Sequence, residues 1–107
     1  MNLVLFIAQL THPPELCFGR PEHREKQSIL RDYGENREKF EKKAGVKVHG
    51  MYLNPNEHTF YIILETEKYA NVSKFLRGPW LTHHTAKITP VITLEETLAI
   101  APTISEE

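Results

Sequence analysis

The chain has 107 residues, 40% of them apolar and 25% charged, a balance that suits an ordinary folded domain and excludes a disordered tail. Its 13 basic and 14 acidic residues are interleaved and leave a formal charge of −1, so the positive field that recruits phosphates is missing and no nucleic-acid partner is expected. A single cysteine, Cys17, excludes an intramolecular disulfide and fits a reducing, cytoplasmic compartment, and the apolar run Leu3 to Ala8 is too short for a membrane span or signal peptide, so no membrane partner is expected.

Residues 2–10 form a continuous apolar run of strand length, with Leu3, Leu5 and Ile7 on one face and Val4, Phe6 and Ala8 on the other. Thr11-His12-Pro13-Pro14 ends it, since successive prolines remove ladder donors. Pro21 suits a first helical turn, and Ile29, Leu30, Tyr33, Phe40 and Ala44 predict one helical stripe reaching Ala44. Gly34 weakens its middle and Gly45 stands where a glycine closes a helix.

Val46, Val48, Gly50 and Tyr52 alternate with Lys47, His49, Met51 and Leu53, which predicts a strand at or near a sheet edge. Asn54-Pro55-Asn56-Glu57 turns the chain into 58–65, a strand apolar on both faces and therefore central. Thr66 can cap a helix over 67–77, whose stripe is Tyr69, Val72, Phe75 and Leu76, and Gly78-Pro79 stops it. Trp80 to Thr85 reads as a loop, and Ala86 to Ile92 as a last strand in which Pro90 argues for a sheet edge or a bulge. Thr93-Leu94-Glu95-Glu96 has capping-box spacing, predicting a short helix from 94 to about 99 and a loose tail after it.

The order β-α-β-β-α-β plus a terminal helix is that of a ferredoxin-like α+β sandwich, expected to occupy residues 1–100 with 101–107 as the tail. Both helices then cover one sheet face, and the apolar residues on the other predict a homodimer, with higher assembly left open. This order, length and double burial resemble the dimeric α+β barrel superfamily over about residues 2–93. That superfamily includes cofactor-independent monooxygenases, muconolactone isomerases and haem-binding relatives of chlorite dismutase. Thr11-His12-Pro13-Pro14-Glu15-Leu16-Cys17, His58-Thr59-Phe60-Tyr61 and Ile88-Thr89-Pro90-Val91-Ile92-Thr93-Leu94-Glu95-Glu96 look like a small prokaryotic family of this shape with no assigned function. The resemblance implies the fold and names no reaction.

For a sheet of spatial order 4-1-3-2, the reading takes strands one and three as parallel. His12, Cys17, Glu65, His83 and His84 then share one end, and His58 begins strand three at the other. Imidazole and thiolate are ligands for zinc, copper or iron, so His12 and Cys17 with His83 or His84 are the candidate metal set. The spacing matches no metal motif, and the competing reading is surface histidines with a buried small thiol. A Cys17–His12 pair is also a candidate nucleophile. Between sheet and helices, Tyr33, Tyr61, Tyr69, Trp80 and His49 could orient an aromatic ligand, although aromatics at these spacings also make core. The functional expectation is a small-molecule binding or converting protein, metal-assisted if that set assembles. The alternative is a non-catalytic oligomerisation or regulatory module. No sequence motif supplies an organic cofactor.

Overall fold

The computed structural model describes residues 3–77, 80–81 and 84–105, with side chains described through Ile100. Its α+β architecture sets four strands, β1 (Val4–Thr11), β2 (Lys47–Asn54), β3 (Thr59–Thr66) and β4 (Thr85–Val91), in one sheet of order β2-β3-β1-β4. The helices are α1 (Arg24–Glu35), α2 (Arg37–Ala44), α3 (Tyr69–Leu76) and α4 (Leu94–Ser105), and 3-10 turns occupy Pro14–Leu16 and Pro21–His23. Among the described residues no helix is long and apolar enough to cross a membrane.

Every neighbouring pair of strands is antiparallel. The expected spatial order is present, but the expected parallel direction of β1 and β3 is overturned: Val4 lies opposite Thr66 and Thr11 opposite Thr59. The physical reason is the hairpin. A helical crossover returns β2 parallel to β1, and the tight turn from β2 then reverses β3 against both. What was placed by the direction of β3 therefore changes ends, whereas β4 runs against β1 as expected and its start stays beside the end of β1.

Alternation along β1 and β3 sends Phe6, Ala8, Leu10, Phe60, Ile62 and Leu64 into the core, where Val72, Phe75 and Leu76 of α3 meet them with Tyr33 and Trp80. The hydroxyl of Tyr33 donates to the carbonyls of Phe75 and Arg77, at 3.2 and 3.3 Å, so the buried phenol has partners on α3 and the residue beyond it. Leu5, Ile7, Tyr61, Ile63 and Val91 alternate onto the opposite face and are partly exposed, with Tyr52 beside them. β2 and β4 are the edges, which accommodates Pro90 in β4.

The single stripe from Pro21 to Ala44 is interrupted at Asn36 (φ −115°, ψ 29°). The Asn36 N–H still closes α1 on the Asp32 carbonyl, its amide reaches Asp32 Oδ1 at 2.6 Å, and its own carbonyl accepts from Lys39 and Phe40 to begin α2. Asparagine competes locally with helix continuation in this way. Gly45, at φ 76°, closes α2 in the left-handed conformation expected of it.

Thr66 does not cap α3. Lys68 occupies the cap, while the buried Thr66 hydroxyl donates to Gly45 O at 2.9 Å and accepts from Asn71 Nδ2 at 3.0 Å. The Gly78-Pro79 stop lies outside the described residues. Trp80 and Leu81 are helical rather than looped. At α4, the Glu96 N–H donates to the Thr93 hydroxyl at 3.1 Å, which is half of the expected box. This start and the Leu-Ala-Ile-Ala run carry the helix to Ser105, past the expected end at about 99 and into the stretch expected to be a loose tail.

Candidate functional site

His12 leaves the end of β1, and its N–H donates to the carbonyl of His58 at 3.1 Å. His58 is brought there by the hairpin. Asn54 Oδ1 accepts from the N–H groups of Asn56 and Glu57 at 3.2 and 3.3 Å, an Asx-type turn that ends with His58 in the left-handed region at φ 54°. Histidine reaches this region more often than most non-glycine residues, and such a conformation persists where the surroundings fix it. The two imidazoles lie edge to face with centroids 5.3 Å apart.

Cys17 approaches from the loop after β1. The first 3-10 turn ends on it, and its sulfur accepts the Gly19 N–H at 3.4 Å. The loop is tied to its surroundings by His23 Nε2 donating to Glu15 O at 2.7 Å and by Gln27 Nε2 donating to Phe18 O at 2.6 Å. Ligand atoms of His12, Cys17 and His58 all lie within 4.8 Å of one another. They form the floor of a cavity of about 280 Å³ whose walls include Phe18, Leu30, Leu53 and Phe60. The exposed lining of the cavity is almost wholly hydrocarbon.

His84 stands behind this floor. Its Nδ1 lies 2.7 Å from the Trp80 carbonyl, which can only accept, so Nδ1 carries a proton. With His84 neutral, its Nε2 is an acceptor and takes the proton of His12 Nδ1 at 3.1 Å. The lone pair of His12 is then on Nε2. That atom is buried and has no hydrogen-bond partner among the described residues, and His58 Nδ1 is in the same condition. His12 is only 4% exposed, stacked on Phe18 and close to Phe60. This burial, followed by the nearby His84 and His58, lowers its pKa from 6.5 to about 4 and keeps it neutral.

The structure brings together His12 and Cys17 and adds His58, which the expected strand polarity had placed at the opposite end. Glu65 makes the reverse move. It lies opposite Leu5 near the start of β1, where its Oε1 is 3.7 Å from His49 Nε2 on the exposed edge of β2. His49 is the extra residue at the β2 irregularity between Val48 and Gly50, which leaves its side chain outside the core. Tyr61 points to the open sheet face, beside Tyr52 and Gln9. Tyr69 is exposed, with its ring edge on Phe6. Trp80 is core, 1% exposed between Tyr33 and Phe60, and not a wall of this cavity. His84 touches His12 from behind and is not in the three-residue ligand set, and His83 lies outside the described residues.

No curated protein matches the chain. A family model described as a domain of unknown function, DUF3303, matches residues 5–104, a span holding β2, β3, β4, all of β1 but Val4, and every cavity residue named above, and the chain belongs to that family.

Proposed function

We propose that this chain binds or converts a small molecule with an apolar body and one polar end, taken into the cavity lined by His12, Cys17 and His58. The observation that carries this reading is a hydrocarbon-walled cavity lined by His12, whose buried Nε2 has no hydrogen-bond partner among the described residues. An orphaned buried acceptor costs about 1–3 kcal/mol, so a cavity that keeps one gains by admitting something that supplies its partner. The apolar walls select the body of the ligand, and the few polar atoms at the floor fix its direction.

In this reading the fold is a ferredoxin-like βαββαβ sandwich whose open sheet faces pair as in the dimeric α+β barrels. The partly exposed Leu5, Ile7, Tyr61 and Ile63 support the pairing. A non-catalytic oligomerisation or regulatory module is the second reading; it shares that face and has no use for the cavity.

Titration with phenol, followed by two-dimensional NMR, separates the two. Saturable shifts are expected at His12, Phe18, Leu30 and Phe60, and Leu30→Trp, which fills the cavity, is expected to abolish them. Shifts that are absent, or that survive Leu30→Trp unchanged, would remove the binding reading.

A further inference from the structure

We infer that His12, Cys17 and His58 form a mononuclear zinc-type metal site, with His84 as the residue that positions its first ligand. The inference rests on the same cavity being functional, and it supplies the partner of the orphaned His12 nitrogen. Three features support it. The donor set, two imidazoles and one thiol, suits zinc, and three protein ligands leave a fourth position open. With His84 neutral, the hydrogen-bond chain through it to the Trp80 carbonyl uses His12 Nδ1 as the donor and leaves the His12 lone pair on Nε2, the nitrogen available to an ion. Metal-bound histidines use their second ring nitrogen in this manner. Finally, neither His12 Nε2 nor His58 Nδ1 has a partner among the described residues, although both atoms are buried.

The three ligand atoms lie within 4.8 Å, whereas bonds of about 2.0–2.3 Å to one tetrahedral ion need them roughly 3.3–3.7 Å apart. Binding therefore draws the three ligand atoms together by up to about 1.5 Å. Cys17 sits on a loop between two 3-10 turns, the segment best able to move. The Cys17 thiol loses its proton to solvent as the sulfur–metal bond forms, leaving a site of net charge +1. Its fourth position opens toward the apolar cavity, where the polar end of a small molecule would reach it.

The probe is Co²⁺, added to untagged, chelator-treated protein in the absence of any small molecule. One ion per chain is expected, with a near-ultraviolet thiolate-to-cobalt charge-transfer band that Zn²⁺ displaces. Cys17→Ser removes the band. His58→Asn, which retains tolerance of the left-handed backbone, weakens binding, whereas His49→Ala at the far end of the sheet leaves it unchanged. His84→Ala keeps the band and lowers affinity about 10- to 100-fold, the usual effect of losing an outer partner. Zn²⁺ is also expected to slow iodoacetamide modification of Cys17 in the unaltered chain, a result that needs no variant to fold. No band, a band that survives Cys17→Ser, or equal weakening by His49→Ala would overturn the site. Because the phenol titration uses metal-free protein, loss of the metal site and loss of the cavity reading remain separate outcomes.

Discussion

Replacing Ile7 with aspartate is expected to convert the proposed dimer into a monomer that keeps its secondary structure. Ile7 lies at the middle of β1, opposite Ile63 on one side and Thr89 on the other, with its side chain on the face away from the helices. The core contacts of Phe6 and Ala8 need not change, because alternate residues of a strand serve opposite faces. Four partly exposed side chains, Leu5, Ile7, Tyr61 and Ile63, come from each copy. At half the value of full burial these eight contribute about 6–12 kcal/mol, against an association cost of about 4–15 kcal/mol. The margin is narrow. A carboxylate at the centre, present twice through two-fold symmetry, costs several kcal/mol per ion to desolvate and reverses the balance. Light scattering at micromolar concentration checks this, with circular dichroism as the test of folding. An unaltered chain that is already monomeric, or a variant that stays dimeric, would refute the pairing.

The second large effect is acid destabilisation of the metal-free protein. In the unfolded chain His12 titrates near its ordinary 6.5, and in the folded chain near 4. Between these values the unfolded state takes up a proton that the folded state refuses, so stability falls as pH falls through this window. Below about 4 both states are protonated and the contribution of this residue is constant. The full difference is about 3 kcal/mol, since one pKa unit is worth about 1.4 kcal/mol. His84, His58 and Cys17 face the imidazole, with Phe18 and Phe60 closing the remainder. Urea denaturation of the unaltered chain and His12→Leu at about pH 7 and about pH 4 isolates the effect, because carboxylate titration is common to both. The unaltered chain is expected to lose more stability than the variant. Equal losses would show that His12 is not held neutral by burial.

The strands were legible because period-two apolar patterning is a local signal, and the sheet order followed from two helical crossovers and one hairpin. Asn36 was not legible as a break, since its amide and carbonyl contacts to Asp32, Lys39 and Phe40 override a stripe that continues on both sides of it. Thr66 looked like a cap from composition, but its hydroxyl is used across the fold by Gly45 and Asn71.

The site was half legible. His12 and Cys17 lie close in sequence, beside a proline pair that ends a strand, and they share the cavity floor. His58 was placed at the wrong end, and Glu65 with it, by the direction given to β3. The hairpin at Asn54 to Glu57 held the information needed: right-handed crossover followed by tight reversal makes β1 and β3 antiparallel, which sets residue 58 beside residue 12. That His84 lies beside His12 was legible from the entry of strand four against strand one, but its part as a bridge to the Trp80 carbonyl was not. Its ring contacts with the Trp80 carbonyl and His12 depend on tertiary placement rather than on spacing.

Nitrogen-resolved NMR of the histidine side chains in metal-free protein tests the central claim most directly, because it reads which ring nitrogen of His12 is protonated and what lies near it. The expected result is a neutral His12 with its proton on Nδ1, a bare Nε2, and cross-relaxation to the His58 ring and to Cys17 within one chain. A His12 protonated on Nε2, or one with no contact to His58, would contradict the site.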